Sequence, residues 1–125
     1  MMTETNKKQR LRVIVVEDDA FIALDIEDVL LGADFDVIGC FSNVNDTLAL
    51  LDQTRPDFAL LDYNLGKETS VPIARRLLTL SIPFMFLSGQ TRDVVLEDFD
   101  DEYPVMGKPF RPSQLISEVE TLVQT

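Results

Sequence analysis

A chain of 125 residues, 46% of them apolar and 26% charged, has room for one compact domain with a real hydrophobic core and none for a second. Its formal net charge of −11 works against nucleic acid and anionic membranes as partners, and the absence of histidine excludes a Ser-His-Asp triad, a His-ligated zinc site and a phosphohistidine of its own. The lone Cys40 excludes an intrachain disulfide, and residues 1–10 are polar with nothing like a secretory signal, so the expectation is a cytoplasmic domain over 11–125 behind a disordered tail.

Leu11 to Val16 is β-branched and nearly continuous, the pattern of a strand buried on both faces, and it stops at Glu17-Asp18-Asp19. From Ala20 to Leu31, Ile22, Ile26, Val29 and Leu30 recur at helical spacing, with Asp19 placed as the N-cap and Gly32 as the stop. Asp36 to Cys40, with Phe41 at its end, is a second strand. Ser42 or Asn43 then caps a helix to about Gln53 whose inner face is Val44, Leu48 and Leu51. Pro56-Asp57 opens a third apolar run, Phe58 to Leu61, which ends in Asp62. Tyr63 to Ser70 is expected as a loop around Gly66, and Val71 to Leu80 as a helix with Pro72 in its first turn, where a missing N–H is tolerated. Pro83 to Leu87 is a fourth strand ending at Ser88-Gly89. In Thr91 to Glu102 acids outnumber apolar residues, and a short or frayed helix is expected. Tyr103 to Met106 is a fifth strand. Gly107-Lys108-Pro109-Phe110 turns into a last helix, Pro112 to Val123, resting on Leu115, Val119, Leu122 and Val123.

Strands alternating with helices predict an α/β domain with a parallel sheet, and in such a sheet the crevice lies beyond the carboxyl ends of the strands. The residues at those ends are Glu17-Asp18-Asp19, Asp62, Ser88 and Lys108. With strand order 2-1-3-4-5, the carboxylates converge, and their mutual repulsion calls for a divalent cation. In a chain without histidine it would be a hard ion held by oxygens, such as Mg²⁺. Taken singly, each residue has a plainer explanation: Asp19 as a helix cap, Ser88 as a turn serine, Lys108 as a surface lysine. The four positions together, in order, are much harder to ascribe to chance.

The runs Val-Ile-Val-Val-Glu17-Asp18, Phe-Ala-Leu-Leu-Asp62-Tyr-Asn64-Leu, Phe-Met-Phe-Leu-Ser88-Gly and Gly-Lys108-Pro109-Phe resemble the receiver domain of bacterial two-component response regulators. The resemblance covers Leu11 to Val123. It implies a flavodoxin-like (βα)5 three-layer sandwich in which Asp62 takes a phosphoryl group from a sensor histidine kinase or a histidine phosphotransferase. It further implies that Glu17, Asp18, Asp62 and the backbone carbonyl of Asn64 hold Mg²⁺. Lys108 would pair with the acyl phosphate, Ser88 would donate a hydrogen bond to it, and Asn64 and Gln90 would tune its lifetime. The Lys108-Pro109 bond is expected to be cis. The domain would catalyse only its own phosphorylation and dephosphorylation and is otherwise not an enzyme. The first helix would meet the kinase, and an unidentified target protein would dock on the face formed by the acidic segment, the fifth strand and the last helix. A monomer or a phosphorylation-dependent dimer fits the family.

Of the two acid-pair registers, Glu17-Asp18 and Asp18-Asp19, the first is preferred, because the buried run leads directly into Glu17 and Asp19 is free to cap. Val105 stands where receivers commonly carry a rotating Tyr or Phe, and Tyr103 is a candidate substitute. Pro-Phe-Met-Phe-Leu-Ser88-Gly-Gln with Pro104-Val105 is similar in part to the FAT GUY subgroup, whose members lack that aromatic; Leu87, Ser88 and Gln90 depart from its motif. With no output domain after Thr125, signalling by docking is expected. The alternatives are a degenerate receiver serving as an interaction module, a receiver cut from a hybrid kinase, and a phosphohydrolase of the haloacid dehalogenase type, which needs Asp where Glu17 stands.

Overall fold

The computed structural model describes residues 10–90, 94–95 and 103–124. Along the chain run β1 (Arg12–Val16), α1 (Ala20–Gly32), β2 (Asp36–Phe41), α2 (Val44–Leu51), β3 (Phe58–Asp62), β4 (Asn64–Leu65), β5 (Glu68–Thr69), α3 (Val71–Thr79), β6 (Phe84–Ser88), β7 (Val105–Gly107) and α4 (Pro112–Val123). β2, β1, β3, β6 and β7 form one parallel sheet in that order, which is 2-1-3-4-5 when its five strands are counted alone.

The continuous apolar runs become the central strands because helices cover both faces. Every residue of β3 and β6 is buried, as are the last four of β1. Side chains alternate across the sheet with period two. Ile14, Val16, Ala59, Leu61, Phe84 and Phe86 face α2 and α3. Val13, Val15, Phe58, Leu60, Met85 and Leu87 face α1 and α4. On the first face Tyr63, Phe86, Phe84 and Tyr103 form a row of rings with centroids 6.0, 5.5 and 5.0 Å apart, the last pair stacked.

The amino ends of β1 and β3 are clasped together. Arg12 N–H donates to Asp57 Oδ2 at 2.7 Å, Asp57 N–H donates to Arg12 O at 2.7 Å, and the Arg12 guanidinium reaches Arg55 O and Thr54 Oγ1, each at 3.0 Å. Arg55 in turn donates to Leu80 O at the end of α3.

Several elements depart from expectation. Tyr63 to Ser70 is not a plain loop, because Asn64↔Thr69 and Leu65↔Glu68 pair as an antiparallel hairpin around Gly66, which has φ +78°. Glycine tolerates that conformation without a Cβ penalty. Gly32 is the last residue of α1, and the left-handed residue that reverses the chain is Asp34, at φ 69°. Thr47 is buried on α2 where Leu48 was expected, with its hydroxyl donating to Asn43 O at 2.8 Å, and Leu48 packs half-buried at the core's edge. β7 begins two residues later than expected. The acidic segment Thr91 to Glu102 lies outside the described residues except for Val94 and Val95, which are helical, and so does most of the tail over 1–10. Among the described residues, no helix is long and apolar enough to cross a membrane.

Candidate functional site

Four strand ends build the site. β1 leads into Glu17 and Asp18, β3 ends in Asp62, β6 ends in Ser88, and Lys108 follows β7. The register Val16↔Leu61 makes Glu17 and Asp62 leave the sheet side by side. Carboxylate oxygens of Glu17, Asp18 and Asp62 lie within 4.8 Å of one another. Glu17 and Asp62 are 4% and 7% exposed, whereas Asp18 opens to solvent.

Lys108 reaches into this cluster, with Nζ 2.8 Å from Glu17 Oε1 and 3.1 Å from Asp62 Oδ1. One ammonium among three carboxylates leaves the group negative. Burial, reinforced by the hydrogen bond and charge of Glu17, pushes the Asp62 carboxyl up to about 7 against the opposing pull of Lys108. Burial alone would lower the Lys108 ammonium, but hydrogen bonds and charge from Glu17 and Asp62 overcome it and hold the pKa above its ordinary value. An all-oxygen donor set with surplus negative charge fits a hard divalent cation and offers no soft ligand.

Asp19 is engaged elsewhere. Its Oδ1 accepts from Phe21 N–H at 2.9 Å and Ile22 N–H at 3.2 Å, which makes it the α1 cap and turns it away from the cluster. Its own N–H donates to Glu17 Oε2 at 3.2 Å. Asp19→Ala should therefore cost about 1 kcal/mol of stability in chemical denaturation while divalent-ion binding persists. Loss of ion binding in a folded variant would instead make Asp19 a ligand.

The remaining expected residues stand close by. The Ser88 hydroxyl is buried and accepts from Gln90 N–H at 2.9 Å, and Ser88 O accepts from Lys108 N–H at 2.8 Å, so the two strand ends are tied directly. Gln90 and Asn64 are exposed, Asn64 on β4 two residues past Asp62. The Lys108-Pro109 bond is cis. Val105 is half-buried and pairs with Phe86. Tyr103 lies before β7, at the end away from Lys108, with its ring stacked on Phe84.

Three features near the site were not foreseen. A Cβ on Gly66 would lie 3.8 Å from Asp18 Oδ2, so the hairpin turn passes beside the cluster. Glu68 Oε2 accepts from Val44 N–H at 3.0 Å, linking the hairpin to α2. Ser70 Oγ is buried without a hydrogen-bond partner among the described residues. Gly66 marked a turn in the sequence, but strands of two residues left nothing around it to mark a hairpin, and no local pattern announces the contact of Glu68 with a residue so distant in sequence.

Comparison with known families places this geometry. The profile of the response regulator receiver domain matches residues 13–120. The chain belongs to that family. Relatives include the DNA-binding response regulator MtrA of Mycolicibacterium paratuberculosis, 37% identical over 117 residues, covering 88% of this chain and 50% of MtrA. The transcriptional regulatory protein PdtaR of Mycobacterium tuberculosis is 24% identical over 115 residues, covering 90% of this chain and 56% of PdtaR. This receiver thus spans about half the length of the curated relatives it matches. Among solved structures, SdrG from Sphingomonas melonis Fr1 is 35% identical with a TM-score of 0.78, covering 91% of this chain and 97% of SdrG. The PhyR response regulator of Brucella abortus shares the fold at a TM-score of 0.80 and 22% identity, covering 93% of this chain and 49% of PhyR.

Proposed function

We propose that this receiver accepts a phosphoryl group on Asp62 from the phosphohistidine of a sensor kinase or histidine phosphotransferase in the cytoplasm, and signals by docking to a target protein. The observation that carries the reading is the convergence of Glu17, Asp18 and Asp62 around a lysine that touches two of them. Mg²⁺ would be held by these three carboxylates and the Asn64 carbonyl, where it would offset their excess charge and stabilise that on the transferring phosphoryl oxygens. The chemistry asks little else of the protein. With Mg²⁺ bound, Asp62 would be ionised and need no general base, so the P–N bond of the donor breaks as an Asp62 oxygen forms the new O–P bond. Lys108 then has a phosphate oxygen to pair with in place of the bare carboxylate, and Ser88 O–H donates to a second. Asn64 and Gln90, both exposed, flank the path of the water that later removes the group.

The phosphodonor docks on α1. Phe21 and Leu24 there are 81% and 55% exposed, and a groove of about 550 Å³ lies between Ile22, Ile26 and Val29 and Pro109, Phe110 and Pro112, with Asp25, Asp28 and Lys108 also lining it. Such a surface suits an apolar helix with basic flanks. With Val105 unable to swing as a ring does, the phosphorylated state is communicated through the Ser88–Lys108 backbone tie and the acidic segment that follows Gln90, as the partial likeness to the FAT GUY subgroup suggests.

Intact-mass measurement after incubation with acetyl phosphate tests the assignment. One phosphoryl adduct is expected on the wild-type chain with Mg²⁺, and none without Mg²⁺ or on Asp62→Asn. An adduct that survives in Asp62→Asn would remove the assignment. If the wild-type chain takes no phosphoryl group and also ignores Mg²⁺ with beryllofluoride, the interaction-module reading replaces it.

A further inference from the structure

The hairpin β4–β5 is only two residues deep on each side, too short to hold itself in place in water. Two contacts fix its base: Tyr63 N–H donates to Leu87 O at 3.0 Å, and Ser70 N–H donates to Tyr63 O at 2.9 Å. Leu65 is buried under its first strand. The outer strand is held differently. Glu68, opposite Leu65 in the register, extends its carboxylate to α2, where Oε2 accepts from the backbone N–H of Val44 at 3.0 Å. That N–H is among the four at the start of α2 that have no partner within the helix. Asn43, the N-cap, accepts from Asp46 N–H at 2.8 Å and leaves Val44 to Glu68.

The hairpin carries what the site needs from this side. Its first strand holds Asn64, and its turn passes beside Asp18 at Gly66. We infer that Glu68 is a positioning residue for the cation site, pinning the hairpin to α2 so that the Asn64 backbone and the Gly66 turn stand in place against the carboxylate cluster. The inference rests on the proposed cation site and deepens it. Coupling of this kind is reciprocal: if the pin favours the cation, the cation favours the pin, and the Val44 amide reports it from the far side of the contact.

The test compares four forms of the full chain: wild type, Glu68→Ala, Glu68→Gln and Asn43→Ala. Mg²⁺ affinity is read by calorimetry, and Val44 amide exchange by NMR with and without Mg²⁺. Glu68→Ala is expected to weaken Mg²⁺ binding about 10-fold, the low end of the range common for groups that orient metal ligands without touching the metal. Glu68→Gln keeps an acceptor oxygen without the charge and should stay within about twofold of wild type on the same argument. Asn43→Ala weakens the start of α2 without touching the hairpin and should leave the affinity unchanged. Mg²⁺ should slow Val44 exchange in wild type and not in Glu68→Ala.

Each other result overturns the inference. Glu68→Gln as weak as Glu68→Ala would mean that charge, not position, is at work. Asn43→Ala as weak as Glu68→Ala would mean general loosening of α2. Unchanged affinity in Glu68→Ala would sink this inference alone, whereas a wild-type chain that binds no Mg²⁺ would take the cation site with it.

Discussion

Replacing Lys108 by Met should lower the stability of the metal-free domain at pH 8 by about 3 kcal/mol, and by much less at pH 5.5. The side chain is the cation found against Glu17 and Asp62, both almost wholly buried, and removing one partner of a buried pair leaves the other charge without compensation. In a chain of this length that loss lowers the melting temperature by roughly 10–15 °C. Two conditions should reverse it. Acid protonates Asp62, whose pKa of about 7 rises further once the lysine no longer opposes it, and saturating Mg²⁺ restores the missing positive charge. A variant equally unstable at pH 5.5 and pH 8, and indifferent to Mg²⁺, would show that the lysine stem matters through packing and not through charge.

The second large effect belongs to Asp62 itself. Its carboxyl is raised from 3.8 to about 7 in the folded chain, so between those values the folded state holds a proton that the unfolded state has released. Stability therefore falls as pH rises from 4 to 7, by at most about 4 kcal/mol, and levels off above the folded value. Lys108 acts in the same direction in a more alkaline window, because its raised pKa stabilises the fold below its ordinary value and that contribution is lost as pH rises through the folded value. Asp62→Asn should flatten the decline between pH 4 and 7 and raise the melting temperature of the metal-free chain at pH 8 by roughly 3–6 °C for each kcal/mol recovered. Mg²⁺ should flatten the wild-type curve in the same way. Thermal melts across that range decide it: a wild-type chain whose stability does not fall between pH 4 and 7 would mean that Asp62 is ionised throughout.

The sheet was legible because its central strands are buried on both faces. Val13 to Val16 and Phe58 to Leu61 are continuous apolar runs for that reason, and the acids that end them mark the carboxyl edge. The expected site residues consequently fall along one edge, and the choice of Glu17-Asp18 over Asp18-Asp19 agrees with the two bonds that Asp19 accepts as a cap. What sequence could not give was pairing across distance. Lys108 was assigned to a phosphate, and only the fold shows it occupied with Glu17 and Asp62. The hairpin was hidden by its length, since two residues per strand carry no alternation to detect. The first helix does end at Gly32, but the left-handed residue that reverses the chain is Asp34, whose side chain is short enough to tolerate that region.

The clasp of Arg12, Thr54, Arg55 and Asp57 gives the molecule two unlike ends. Where the strands begin, backbone and guanidinium bonds lace β1 to β3 and carry on through Arg55 to α3. Where they finish, the same two strands deliver carboxylates that repel one another. A parallel sheet laced at its origin and charged at its tip can take a change of charge there with its strand order and core undisturbed. The amides of Val13 to Val16 and of Ala59 to Leu61, in the buried middle of the frame, should be among the last to exchange. Phosphoryl chemistry would act at the charged end of a frame laced at the other.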